Sequence, residues 1–138
     1  MAAAKEFQLK RCQFIEQVWQ KDRDLQSWGF YADDDDIQSA MHRFQRVIRQ
    51  AVDIKQLLAG EAIFTKSLYK YASEHVDMPD FVRLHDAPAG DKANIFLNHG
   101  NYLAYGLAAV TLWILGIPHG FAVMHGKARR CPAAGFAL

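Results

Sequence analysis

With 138 residues, 51% hydrophobic and 22% charged, the chain is long enough to bury a core and too apolar for disorder. A formal net charge of +1 gives no overall field for nucleic acid, but the charge is segregated. Asp33 to Asp36 form an acidic run, while Lys127, Arg129 and Arg130 form a cationic one.

Helical periodicity predicts an all-α chain built on four main helices. The first is expected from Glu6 to Lys21, with Phe14, Ile15, Val18 and Trp19 as its apolar stripe and a break at Ser27-Trp28-Gly29. The acidic run then offers N-cap candidates and suits the positive end of a helix. Asp33 to Asp36 lack the Gly and Glu offsets of a calcium loop, so a solvated helix start is their expected role. The second helix carries Ile37, Met41, Phe44, Ile48 and Val52 on one face, and Arg43, Arg46 and Arg49 on the solvated one. Gly60 is expected to break or kink this pattern, so that a third helix starts at Glu61 with Ile63, Phe64, Leu68, Tyr69 and Ala72.

A loop is expected from Phe81 to Gly90, and a fourth helix from about Lys92 to Leu115, closed by Gly116 and Pro118. This last helix is apolar nearly all round, which predicts the most buried element, with Leu107, Val110, Leu112, Ile114 and Leu115 packed on the second and third helices. Its fully apolar stretch, Tyr102 to Ile117, is 16 residues long, short of the roughly 20 that cross a bilayer. Cys12 and Cys131 show neither metal-ligand nor redox spacing, and no apolar leader follows Met1. Free thiols in a reducing cytoplasm are therefore expected.

Two residues attract attention as chemistry. Glu61, at its expected helix start, is either a dipole-complementing residue or an oxygen ligand suited to Mg²⁺ or Mn²⁺. His125 follows a stretch from Ala93 to Gly126 that has no Asp, Glu, Lys or Arg, and it precedes Lys127, Arg129 and Arg130. It is either a satisfied histidine at a helix exit or a ligand beside cations that can meet phosphate oxygens. Together, Glu61, His125 and the cations suggest a metal-assisted site for a phosphate polymer. His119, in the turn after Pro118, is read as structural. Asn94, Asn98, His99 and Asn101 are assigned capping and interhelical hydrogen bonds.

At this point the residues resemble a known family, the CRISPR-associated endonuclease/integrase of spacer acquisition, in its type I-F form. The carriers are Leu57-Leu58-Ala59-Gly60-Glu61 with Tyr69 following, then Asp91, Asn94, Leu97-Asn98 and Gly100 in a D-x-x-N-x-x-L-N-x-G pattern. Tyr102-Leu103-Ala104-Tyr105-Gly106, Leu115-Gly116-Ile117-Pro118-His119 and Met124-His125-Gly126-Lys127 complete the order, so the likeness runs from about Phe30 to Arg130.

The resemblance implies a helical bundle corresponding to the family's C-terminal domain, residues 1–130, without the N-terminal β domain. It implies a divalent cation, Mg²⁺ or Mn²⁺, held by Glu61, His125 and an aspartate. Lys127, Arg129 and Arg130 would hold the DNA backbone. The implied partners are double-stranded DNA (prespacer and CRISPR repeat), a second copy of the protein, and a second CRISPR adaptation protein. No membrane is among them. The family's aspartates lie eleven and fourteen residues after its histidine, where this chain has Phe136 at the first and has ended at Leu138 before the second. Residues 131–138 do not resemble the family, and a frameshift after Arg130 is the expected origin of this tail. The expected outcome is a chain of this nuclease/integrase family that is inactive in isolation. The alternatives are a non-catalytic helical fragment or pseudogene product that serves as an interaction module, and, more remotely, a small membrane protein.

Overall fold

The computed structural model describes residues 1–31 and 35–118, with the backbone alone at Gln20. All regular structure there is helical, as the periodicity implies: α1 (Ala2–Lys21), α2 (Arg23–Ser27), α3 (Asp35–Gln50), α4 (Ile54–His75) and α5 (Lys92–Ile114). The chain divides into two compact units, Met1–Val82 and Arg83–Leu138. The expected boundary at residue 130 lies outside the described residues.

The core of the first unit comes from three helices. On α1 the buried positions are Ala4, Gln8 and Cys12, four residues apart and so on one helical face. The stripe expected around Phe14 is rotated, because Phe14 is exposed while Ile15 and Trp19 are half-buried. On α3 the inner face is Ile37, Ala40, Met41, Phe44 and Ile48, as its periodicity predicts. Val52 is not part of it: the helix ends at Gln50 and Val52 is exposed. Leu57, Phe64 and Tyr71 face them from α4, and Phe44 stacks on Phe64 with ring centroids 4.7 Å apart. Fully burying one such ring stabilises the fold by about 1.5–3 kcal/mol. At the far end, Trp19, Phe30, Tyr71 and His75 form an aromatic cluster with centroid separations of 4.2 to 6.0 Å. The Tyr71 hydroxyl closes it by donating to the Tyr31 carbonyl at 3.2 Å.

The expected break at Gly60 does not occur. The helix starts earlier, at Ile54, because Asp53 caps it by accepting from Gln56 N–H at 2.8 Å, while the Gln56 side chain accepts from Val52 N–H at 3.1 Å. The glycine lets α4 approach α3: a Cβ at position 60 would lie 2.5 Å from Val47 Cγ1 and 3.6 Å from Phe44 Cδ2. The residue marks a close crossing, which sequence alone does not distinguish from a break.

In the second unit α5 covers the expected span and ends as expected, on Gly116 at φ +66°. It is not a buried helix, however. Leu107, Val110, Ile114 and Leu115 are exposed, Leu112 is half-buried, and Asn94 is the buried residue along it. Among the described residues this unit contributes one helix and the segment leading into it, and a single helix has no second apolar surface to pack against. Among the described residues no helix is long and apolar enough to cross a membrane.

Candidate functional site

Because α4 starts at Ile54, Glu61 stands in its third turn, away from the helix N-terminus. The dipole-complementing role is thereby excluded, since that effect fades within the first turn. The Glu61 side chain instead meets α1. Its Oε1 accepts from Arg11 Nη1 at 2.7 Å and from the Thr65 hydroxyl at 3.3 Å, and Arg11 Nη2 donates to that same hydroxyl at 3.3 Å. The pair is half-buried, with side-chain exposures of 30% for Arg11 and 24% for Glu61. Two rigid helices and an i,i+4 neighbour thus hold the carboxylate in one orientation. Its Oε2 takes no hydrogen bond from a described residue.

Arg11 and Thr65 were not legible as partners of Glu61. Fifty residues separate Arg11 from it, and an arginine among the mixed charges of α1 carries no local signal. The only hint for Thr65 is its i,i+4 spacing.

The residues expected to complete the site, His125 with Lys127, Arg129 and Arg130, lie outside the described residues, as do His119, Phe136 and Cys131. Among the described residues no group of three or more His, Cys, Asp or Glu could hold a metal ion. Glu61 fits one position of a hard-cation shell by chemistry, as an anionic oxygen donor with one atom not engaged by Arg11. Cys12 is free and buried, and burial raises its thiol pKa, so no reactive thiol stands beside Arg11. The start of the acidic run lies outside the described residues; Asp35 and Asp36 occupy the first turn of α3, as expected of a solvated helix start.

The Asp91, Asn94 and Asn98 motif forms a closed network. Asp91 caps α5 by accepting from Asn94 N–H at 3.0 Å, and its other oxygen accepts from Asn94 Nδ2 at 2.7 Å. Asn94 Oδ1 accepts from Leu84 N–H at 2.9 Å and from Arg83 Nη1 at 3.0 Å. Arg83 Nη2 reaches Asn98 Oδ1 at 2.6 Å, and Asn98 Nδ2 donates to the His85 carbonyl at 2.9 Å. These asparagines therefore strap the segment 83–85 onto the first two turns of α5; the cap itself is Asp91, so the capping and interhelical roles expected of them are corrected to bonds with the preceding loop. His99 is exposed. The Asp91 carboxyl is held below its ordinary value, chiefly by the Asn94 backbone N–H and then by the Asn94 side chain.

No protein-family model matches the chain. It is 45% identical over 130 residues to the CRISPR-associated endonuclease Cas1 of Pseudomonas aeruginosa, an overlap that covers 94% of this chain and 40% of that protein. It is also 43% identical to the CRISPR-associated endonuclease Cas1 of Pectobacterium atrosepticum, again over 94% of this chain and 40% of the relative. The chain therefore belongs to the Cas1 family, spanning 40% of the length of each of these two relatives.

Proposed function

We propose that this chain carries part of the active-site domain of a metal-dependent DNA endonuclease/integrase that inserts new spacers into a CRISPR array in the cytoplasm. In this reading Glu61 and His125 are two ligands of one Mg²⁺ or Mn²⁺ ion. The observation that carries the proposal is the Glu61 carboxylate, pinned through Oε1 by Arg11 and Thr65 with Oε2 left for a ligand, in a chain 45% identical to a Cas1 endonuclease. When bound, the divalent cation would polarise the scissile phosphate and stabilise charge on the attacking or leaving oxygen.

The chain's own residues set the rest of the chemistry. Glu61 supplies a negatively charged oxygen whose position is fixed before any ligand arrives. His125 supplies a ring nitrogen, and Lys127, Arg129 and Arg130 meet backbone phosphates without reading sequence. Double-stranded DNA, a second copy of the protein and a second adaptation protein are the partners this reading implies. With Phe136 at the first of the family's two aspartate positions, that carboxylate is lost, and a hard cation with fewer protein ligands binds more weakly. The 138-residue chain is accordingly expected to be nearly inactive by itself.

A plasmid-nicking assay in Mn²⁺ tests this. The chain is compared with one that continues after Arg130 as Gly-Ala-Leu-Val-Phe-Asp-Val-Ala-Asp. The continued chain should nick, and Glu61→Ala or His125→Ala should abolish it. Robust nicking by the 138-residue chain, or nicking that survives both substitutions, would overturn the reading. A non-catalytic interaction module is what remains if the continued chain binds neither Mn²⁺ nor DNA.

A further inference from the structure

The inner face of α3 is fully committed to the core, and its outer face carries three arginines. Arg43, Arg46 and Arg49 are all exposed. They recur every third residue, so each step advances about 4.5 Å along the axis and the set fans across the side opposite Ile37, Met41, Phe44 and Ile48. No Asp or Glu occurs between Ile37 and Val52. The two ion pairs among the described residues are Arg11–Glu61 and Lys70–Glu74, and neither involves these arginines. Lys5 adds a fourth cation at the same end: its ammonium donates to the Arg49 carbonyl at 2.9 Å, which caps the negative C-terminus of α3. A chain of net charge +1 thus gathers three arginines on one exposed helix face, none of them in an ion pair with a described residue.

We infer that the outer face of α3 is a second contact surface for the nucleic-acid backbone, separate from the Lys127, Arg129 and Arg130 set. Guanidinium groups bind phosphate bidentately, so an arginine comb suits a regular row of phosphates better than a row of lysines would. Duplex DNA offers one charge about every 1.7 Å of its axis, so the roughly 9 Å from Arg43 to Arg49 spans several phosphates. An anionic membrane is the weaker match, because surface-bound helices insert an apolar face and the apolar face of α3 is already buried. Contacts of this kind fix the position of a duplex without selecting its sequence. The inference rests on the proposed function only for the choice of DNA as the polyanion.

The test is fluorescence anisotropy of a short labelled duplex with this chain, in EDTA so that no metal contributes, between 50 and 200 mM salt. Replacing all three arginines (R43Q/R46Q/R49Q) should weaken binding at least tenfold at the low salt. It should also flatten the slope of log affinity against log salt by up to about 3, since each lost phosphate contact removes about 0.9. The R43K/R46K/R49K variant should keep the slope and lose only a few-fold in affinity. Helical circular dichroism and the thermal midpoint should match the parent, because all three side chains are exposed. If the glutamine triple does not fold, R46Q alone decides, with an expected slope change near 0.9. Folded variants with unchanged affinity and slope overturn the inference, as does a parent chain that binds no duplex or prefers phosphatidylserine vesicles to DNA. Anisotropy in EDTA reads the arginines without metal, and the nicking assay reads Glu61 and His125 with it, so failure here and failure of the nicking assay are separate results.

Discussion

Replacing Asn94 is the most direct probe of the network that joins Asp91, Arg83 and Leu84. The side chain is 1% exposed, and its Oδ1 accepts from Leu84 N–H at 2.9 Å and from Arg83 Nη1 at 3.0 Å. Asn94→Ala leaves both donors without that acceptor. A neutral bond contributes about 1 kcal/mol, and the bond from the half-exposed guanidinium not much more, so the strap loses about 2 kcal/mol. Amide hydrogen exchange at Leu84 should then accelerate about 30-fold, since 1.4 kcal/mol is tenfold. Asn94→Asp is the informative partner. It keeps the acceptor for Leu84 and Arg83 but puts an oxygen where Nδ2 now sits, 2.7 Å from Asp91 Oδ2. Two carboxylates at that distance do not both ionise, so one folded pKa rises. A raised carboxyl pKa gives stability that is present at low pH and lost as pH climbs through it. In the parent the sign is opposite. The Asp91 pKa lies below its ordinary 3.8, so its contribution is full above that value and fades as pH falls through the lower folded one. Exchange followed across the acid range should therefore show opposite slopes in parent and Asn94→Asp. Leu84 exchange within twofold of the parent in Asn94→Ala, or slopes of the same sign, would refute the network's role.

Gly60→Ala should destabilise the first unit by about 1 kcal/mol in urea unfolding, because overpacking against Val47 outweighs the roughly 1 kcal/mol gained in helix propensity. Net stabilisation would show that α3 and α4 separate freely. Arg11→Gln should cost about 0.5–1 kcal/mol of stability, as for a half-exposed ion pair, yet tighten Mn²⁺ binding by removing the cation that neutralises Glu61. Water-proton relaxation reads the affinity, and weaker binding would mean that Arg11 acts mainly by orienting the carboxylate. Cys12, whose thiol pKa is raised by burial, should react with a disulfide reagent only as fast as the first unit opens; prompt labelling of the folded chain would contradict its burial.

What the sequence revealed and what it hid follow from the range of each interaction. The α3 face was legible because Ile37, Met41, Phe44 and Ile48 repeat at helical spacing, a property of neighbours in the chain. That Asn94 and Asn98 would carry hydrogen bonds at the start of α5 was legible from their spacing, but the cap is Asp91 and their partners lie in the segment 83–85 rather than on another helix. Arg83 was missed: it reaches Asn94 and Asn98 across a loop whose path no periodicity encodes. The burial of α5 was misjudged because an apolar composition states what a helix could bury and says nothing of the surface that would cover it. Of the candidate metal ligands, Glu61 was assigned the wrong place in its helix, which starts at Ile54.

That misplacement turns on a single glycine. In an unbroken helix consecutive residues point about 100° apart, so a close approach at one position directs the next toward a different neighbour. Gly60 faces α3, where Val47 lies too close for any larger side chain. Glu61 is thereby turned toward α1 and meets Arg11. Had Gly60 ended one helix and Glu61 begun another, the carboxylate would lie at a helix N-terminus, with backbone N–H groups to satisfy it and freedom to fray. In the third turn of a continuous helix it has no such donors. Its charge is met by a side chain from 50 residues away, and its orientation is set by packing on two sides. A ligand carboxylate benefits from this arrangement, because a group held rigid beforehand loses little entropy when a cation binds. The adjacent Gly-Glu pair is therefore better read as a packing residue and the carboxylate it turns toward α1 than as a helix boundary.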